Sequence, residues 1–97
     1  MNEPLGPDRV RVLVRQALDS GQVTFGDHAL KALDDDKMST ADAQRTLRGG
    51  VAEPGEFVSG EWRYRIRTER LIAVVRFKSF EPLKVRVVTC FARQQRR

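Results

Sequence analysis

The stretch from Glu61 to Ala92 has the alternating pattern of consecutive β-strands, and it restricts the fold more than any other part of the chain. Successive side chains of a strand point to opposite faces of a sheet. In the first run, Trp62, Tyr64 and Ile66 therefore share one face, and the arginines that alternate with them share the other. The second run, Leu71 to Phe77, is apolar on both faces almost to its end, as is typical of a central strand. The pattern predicts a three-stranded antiparallel meander.

Strict alternation also divides the third run, residues 84–91, between two faces. One face is expected to carry Val85, Val87, Thr89 and Phe91, and the other Lys84, Arg86, Val88 and Cys90. One face of the meander is thus expected to be buried, and the other to collect Arg63, Arg65, Arg67, Arg76, Lys78, Lys84 and Arg86. No acidic residue of these strands is expected to neutralise this cationic face.

The residues before the meander have the signals of helices. Apolar residues recur at the spacing of one buried helical stripe, at Val10, Leu13, Val14, Ala17 and Leu18. Asp8 is expected to cap this first helix, and Gly21 to end it. A second helix is predicted from His28 to about Asp36, with Asp27 as its cap.

Ser39 opens a third predicted helix, with Asp42 at the position of a capping box, and the helix is expected to stop at Gly49–Gly50. The segment from Val51 to Val58 is expected to be an edge strand or an extended loop because it contains a proline. Helices followed by consecutive antiparallel strands predict an α+β fold with the helices on one face of the sheet. The 97 residues form one domain, with residues 1–7 and 93–97 as expected flexible tails.

Charge is unevenly divided along the chain. Residues 1–60 hold seven Lys and Arg against ten Asp and Glu, whereas residues 61–97 hold eleven against three, so the net charge changes from −3 to +8. A basic sheet favours a polyanionic partner, and nucleic acid is the first candidate. An acidic protein or a membrane surface would also suit such a face, and charge alone does not choose between them.

Cys90 and His28 are the only cysteine and histidine, which excludes an internal disulfide and a Cys/His zinc site. The first residues lack the apolar stretch of a signal peptide, and the longest apolar run is Leu71–Val75. We therefore expect a cytoplasmic protein with no metal, no other cofactor and no membrane partner.

His28 is the first candidate for acid–base chemistry. At the start of a helix, the unpaired N–H groups and the dipole favour the neutral imidazole, which can act as a general base. A local hydrogen bond or packing against Phe25 is the alternative for His28. Tyr64 and Thr89 alternate with core residues, which favours packing plus one hydrogen bond for each. Cys90 has no neighbouring base to activate it as a nucleophile.

A longer pattern of residues resembles a known family. It consists of Phe25, His28-Ala29, a helix opened by Ser39 and Asp42, then Leu47 and Gly49, a strand containing Tyr64, an apolar strand, and Val87-Val88-Thr89. This order resembles the small bacterial domains catalogued as domain of unknown function 4258, which are similar to the RelE and MqsR toxins of type II toxin–antitoxin pairs. The resemblance extends from about Val23 to Ala92.

The resemblance implies a curved antiparallel sheet, as in RelE-like and barnase-like small ribonucleases, and a metal-independent endoribonuclease held by a cognate antitoxin. His28 matches the family's helix-opening histidine, Arg65 or Arg67 its sheet arginine, and Thr89 its late-strand threonine.

Two places depart from the family pattern. Lys31 and Lys37 stand where relatives often have arginines. Cys90 and Phe91 stand where a tyrosine commonly follows the late threonine. The second departure removes a hydroxyl that could transfer a proton.

The hypothesis from sequence is a toxin that cleaves mRNA, in which the RNA 2′-hydroxyl attacks the neighbouring phosphorus. Its expected catalytic residues are His28, Arg65, Arg67 and Thr89, and its expected RNA-binding residues are Arg63, Arg76, Lys78, Lys84 and Arg86. The alternative is a non-catalytic basic module that holds RNA or an acidic protein segment.

Overall fold

The computed structural model describes residues 2–93, so residues 94–97 of the expected C-terminal tail lie outside the described part. In chain order the elements are α1 (Pro7–Ser20), β1 (Gln22–Phe25), α2 (Asp27–Asp35), α3 (Thr40–Gly49), β2 (Val51–Ala52), β3 (Glu56–Val58), β4 (Glu61–Arg67), β5 (Leu71–Phe80) and β6 (Leu83–Ala92). The predicted meander is present as β4, β5 and β6, which pair antiparallel in succession. Three helices and a mostly antiparallel sheet confirm the α+β class.

The strands form a six-stranded sheet in the order β1-β6-β5-β4-β2, and β3 pairs with the first half of β4. β1 lies beside the last strand and runs parallel to it, with Phe25 opposite Val87. The sequence predicts an extended segment at 23–25, but its pairing with residues 62 positions later in the chain is a long-range contact that no local pattern indicates. This pairing brings the start of α2 to the edge of the meander.

All three helices pack on one face of the sheet, which we call the inner face. The buried residues of α1, α2 and α3 belong to one hydrophobic cluster together with the inner side chains Tyr64, Ile66, Ala73 and Val87. Burial of these apolar surfaces is the main term that holds helices and sheet together. The opposite face of the meander, which carries the arginines, is the outer face.

Val88 is an extra residue in β6 that reverses the alternation of the strand. Adjacent residues of β5 pair with Val87 and Thr89, which leaves Val88 without a partner, as in a β-bulge. Cys90 therefore points inward and is 2 % exposed, so its predicted place on the outer face is wrong. Thr89 and Phe91 were predicted to share a face with Val87, but they lie on the outer face, where Phe91 is 48 % exposed.

The segment before α1 is held against the core. Leu5 is buried, and its N–H donates to the Tyr64 hydroxyl at 3.1 Å. That hydroxyl in turn donates to Glu3 Oε2 at 2.7 Å. Residues 3–5, which the sequence assigns to a flexible tail, thus supply both hydrogen-bond partners of a buried tyrosine.

The helix caps are confirmed in part. At α3, the Ser39 hydroxyl accepts from the Asp42 N–H, and Asp42 accepts from the Ser39 N–H at 2.8 Å, which completes the predicted capping box. These hydrogen bonds and the Arg45 guanidinium lower the pKa of Asp42 to about 2. The prediction that Asp8 and Asp27 cap their helices is wrong, because each lies inside its helix and a glycine occupies the cap position.

Among residues 2–93, no helix has both the length and the apolar composition needed to cross a membrane.

Candidate functional site

The outer face of the meander carries the arginines that the sequence predicts there. The buried helix residues all pack with inner-face side chains, so the helices leave the outer face to solvent. At its centre, Val74 is 7 % exposed although it lies outside the core cluster, because its neighbours in the register are Arg65 and Thr89. The outer-face side chains of Arg65 and Thr89 thus cover the apolar side chain of Val74.

Three arginines form a row across β4, β5 and β6. Arg76 and Arg86 are direct register partners. Arg63 follows on β4, one position beyond the paired residues Tyr64 and Val75. Like charges directly opposite each other destabilise a sheet, so this row is costly unless anions compensate it.

Glu61 compensates two members of the arginine row. Arg63 Nε donates to Glu61 Oε2 at 2.9 Å, and Arg76 Nη1 lies 3.3 Å from Glu61 Oε1. One carboxylate therefore bridges two neighbouring strands. Glu61 and Arg63 are two residues apart on a strand, and this spacing already indicates that they share a face.

Two further glutamates pair with the other arginines of β4. Arg67 Nε donates to Glu53 Oε2 at 2.8 Å, and Arg65 Nε lies 3.3 Å from Glu56 Oε1. The expectation that no acidic strand residue neutralises this face is therefore wrong. Glu53 and Glu56 come from the segment between α3 and β4, and its pairing with β4 could not be read from the sequence.

Arg86 differs from the other arginines of the outer face. Within residues 2–93 it has no carboxylate within 4 Å. Its guanidinium lies over Gly26, such that a side-chain carbon built on Gly26 would be 3.2 Å from Arg86 Nη2. Gly26 is the N-cap of α2, so no side chain at the cap position accepts a hydrogen bond from the N–H groups of the first turn. The positive charge of Arg86 thus lies beside the backbone N–H groups at the start of α2, which are hydrogen-bond donors.

His28 is the second residue of α2, and its side chain is exposed. Gly26 N–H donates to the Val87 carbonyl at 2.9 Å, which holds the start of the helix at the edge of β6. Thr24 lies opposite Arg86 in the register, and its Oγ1 is buried with no hydrogen-bond partner among the described residues. The fold therefore places Thr24 beside Arg86, and His28 follows Gly26, over which Arg86 lies, by two residues.

The four predicted catalytic residues lie at three places along the sheet. Arg65 and Arg67 are on β4, whereas His28 follows β1, and β5 and β6 lie between these strands. Three strand spacings correspond to ~14 Å, so the fold does not bring His28 into contact with either arginine. Thr89 lies between them, in the same row of the register as Arg65.

The predicted lysines mark one end of the outer face. Lys84 is exposed and pairs in the register with Ser79 on one side and Gln22 on the other. Lys78 is exposed at a second irregularity of the β5–β6 pair. Both lie near the turn that joins these strands, away from Thr89.

Tyr64 and Cys90 are removed from any surface chemistry by burial. Tyr64 is fully buried, and burial raises its pKa to about 12. Burial likewise raises the pKa of the Cys90 thiol to about 11. Neither group is reactive at neutral pH, which agrees with a packing role for Tyr64 and with the prediction that Cys90 is not a nucleophile.

Within residues 2–93, no group of three His, Cys, Asp or Glu side chains has the arrangement of a metal site.

Comparisons of the chain with known protein families, with curated proteins and with solved structures find no match. The function must therefore be inferred from the chemistry of the outer face.

Proposed function

We propose that the protein is an RNA-cleaving toxin of a type II toxin–antitoxin module and that it binds RNA on the outer face of its sheet. The observation that carries this proposal is the row of Arg63, Arg76 and Arg86 across three strands. Placing like charges side by side opposes folding. A row of guanidinium groups on a rigid sheet matches the oxygens of a polyanionic backbone, which supplies the missing negative charge.

The ion pairs that glutamates make with four outer-face arginines do not oppose RNA binding strongly; these arginines are Arg63, Arg65, Arg67 and Arg76. Their side chains keep between 28 % and 47 % of their surface exposed. Ion pairs with such exposure contribute about 0–1 kcal/mol each. A phosphate that arrives at the outer face can therefore replace a glutamate at little cost.

The cleavage step is assigned to the His28 end of the outer face. A scissile phosphate beside Arg86 would lie next to the amide groups that begin α2. The guanidinium would stabilise the charge that develops on the phosphoryl oxygens. His28 would take the proton from the 2′-hydroxyl as the 2′-oxygen bonds to phosphorus. The P–O5′ bond would break to leave a 2′,3′-cyclic phosphate, and the 5′-oxygen would leave with a proton from water. Thr89 would position the neighbouring ribose. Arg65 and Arg67 would hold the strand further along the sheet.

The toxin role and the antitoxin partner rest on the resemblance to the 4258 family. An antitoxin that covers the outer face would block RNA binding. A cytoplasmic location follows from the same role, because mRNA is the substrate.

A second candidate function is a non-catalytic module that holds an acidic protein segment. The observation that favours it is that Glu53, Glu56 and Glu61 already occupy four arginines as carboxylate ligands. An acidic peptide would repeat these contacts. The exposed Phe91 on the same face would add an apolar contact.

The test is controlled expression in a bacterium, with growth and RNA ends followed together. We expect growth arrest and new RNA ends with the wild-type protein, and the loss of both with Arg86→Ala. Arg11→Ala is the matched control, because it removes one positive charge from α1, on the other side of the protein. It should behave like the wild type.

Two outcomes would contradict the toxin proposal. One is normal growth with intact RNA while the wild-type protein is soluble and abundant. The other is equal loss of cleavage in the Arg86 and Arg11 variants. In the first case, binding of an acidic peptide but not of RNA by the purified protein would select the second candidate.

A further inference from the structure

A large cleft lies beside the β5–β6 turn, between that turn and α1. Its volume is about 860 Å³, which exceeds the size of a single nucleotide. Apolar side chains, chiefly Phe80 and Leu83, form part of its lining. Gln16, Ser20 and Gln22 also line it and bring hydrogen-bond donors and acceptors to its wall.

The cleft shares one cationic residue with the outer face. Lys84 lines it and also occupies an outer-face position opposite Gln22 and Ser79. Arg9 reaches the cleft from α1, so cationic groups come from both of its sides. Glu81 is its single acidic lining residue among those described. The two cationic residues outnumber this one carboxylate, which favours the binding of an anionic group at the mouth of the cleft.

Phe80 presents a half-buried aromatic ring to this cleft. It stacks on Phe77, with the ring centroids 5.1 Å apart and the planes at 21°. Phe77 is 8 % exposed and belongs to the core, so it fixes the orientation of Phe80 from behind. An oriented ring with one accessible side is the usual platform for an unstacked base in single-stranded RNA.

Resting on the RNA-binding function proposed above, we infer that this cleft binds one nucleotide of the RNA. The base lies against Phe80, its edge faces the polar wall, and its phosphate lies beside Lys84 and Arg9. Stacking on an aromatic ring tolerates all four bases, so the subsite adds affinity for single strands. The hydrogen-bonding wall gives it a preference among bases.

The test compares two probes, a single-stranded RNA oligonucleotide and an abasic strand with the same ribose-phosphate backbone. We expect the wild-type protein to bind the RNA at least about tenfold more tightly than the abasic strand. Phe80→Leu should weaken RNA binding by about tenfold and leave abasic binding unchanged. Phe57→Leu is the matched control, because Phe57 is an exposed phenylalanine on β3 outside the cleft. It should change neither affinity.

Equal binding of RNA and abasic strand by the wild-type protein would overturn the inference while leaving the RNA-binding function intact. If neither strand binds, the proposed function fails, and the cleft is tested directly with nucleoside 5′-monophosphates by NMR. Amide shifts confined to the residues around Phe80 and Gln22, and lost in Phe80→Leu, would then support a nucleotide site. The absence of shifts at millimolar nucleotide would overturn it.

Discussion

Arg76 and Arg86 face each other directly across β5 and β6, with their side chains on the same face of the sheet. Glu61 compensates Arg76, whereas Arg86 turns toward Gly26 at the start of α2. The pair therefore divides the arginines of the outer face into those on β4 and β5, which have glutamate partners, and Arg86 on β6, which has none among the described residues. On the proposed function, an incoming RNA would meet Arg86 first and displace Glu61 afterwards.

Replacing Glu61 by glutamine should strengthen RNA binding. The variant removes the carboxylate that bridges Arg63 and Arg76, so both guanidinium groups become available to phosphates. With one or two additional phosphate contacts, the slope of log K against log salt should steepen by about 0.7–1.4 for a single strand. Fluorescence anisotropy titrations over a range of salt concentrations measure both the affinity and the slope.

The matched control for this prediction is Glu69→Gln in the turn between β4 and β5. It removes the same charge from an exposed residue that makes no ion pair within the described chain. If both variants raise the affinity equally, net charge alone is responsible and the bridging role of Glu61 is rejected.

His28→Gln should separate cleavage from binding. The amide keeps the size and hydrogen-bonding character of the side chain but cannot exchange a proton near neutral pH, so the cleavage rate should fall on the order of 100-fold. The dissociation constant for RNA should stay the same, because His28 is exposed at the end of the basic face and not within the arginine row. Single-turnover cleavage of an end-labelled RNA gives the rate, and an unchanged rate removes His28 from the mechanism.

Alanine at two neighbouring glycines should have opposite effects on stability. A Cβ at Gly50 would lie 2.6 Å from the Thr46 carbonyl and 2.7 Å from the Arg67 carbonyl, which are backbone atoms that cannot move aside. Gly50→Ala should therefore cost about 1–3 kcal/mol of unfolding free energy. At Gly49, the last residue of α3, nothing lies within 4 Å of a Cβ, and alanine should add about 0.5–1 kcal/mol. Urea denaturation of both variants checks the sign; equal effects would contradict the packing of α3 on β4.

Stability should fall at alkaline pH because Cys90 and Tyr64 are buried in their neutral forms. Burial raises the pKa of Cys90 from 9.0 to about 11, so the thiol ionises in the unfolded chain before it does in the native protein. Its contribution is fully present below pH 9 and is lost as the pH rises to 11. Tyr64 adds a similar loss at higher pH, between 10.0 and about 12.

The measurement is the free energy of unfolding in urea at neutral and alkaline pH. As the pH rises from neutral to alkaline, the free energy of unfolding of Cys90→Ala should fall by about 2–3 kcal/mol less than that of the wild type. The comparison uses the change with pH, so a constant cost of the smaller side chain cancels. Parallel pH profiles of the two proteins would show that the thiol is already ionisable in the native state.

Local patterns predict much of this fold. The alternation of Trp62, Tyr64 and Ile66 with arginines identifies β4 and its buried face, because a strand has a period of two. The capping box of Ser39 and Asp42 marks the start of α3, because both partners lie within one helical turn. In each case the determining contacts are a few residues apart in the chain.

The site depends on contacts between residues that are distant in the chain, and local sequence patterns do not predict most of them. The bulge at Val88 moves Thr89 to the outer face and Cys90 to the inner face, and no glycine or proline in the sequence predicts it. Glu53 reaches Arg67 because β2 adds to the edge of β4, and Gly26 at the start of α2 lies under Arg86 because β1 pairs with β6. Glu61 alone had a visible signal, since the i, i+2 spacing places it on the arginine face beside Arg63.

Tyr64 also connects the stability of the domain to what happens at its N-terminal end. A protease that removes Glu3 and Leu5 would leave the tyrosine hydroxyl without either described partner and would expose the apolar surface that Leu5 covers. The shortest fragment that keeps the native melting temperature should therefore begin no later than Glu3. A cleavable affinity tag should be joined before that residue, with a spacer that lets the segment reach the sheet.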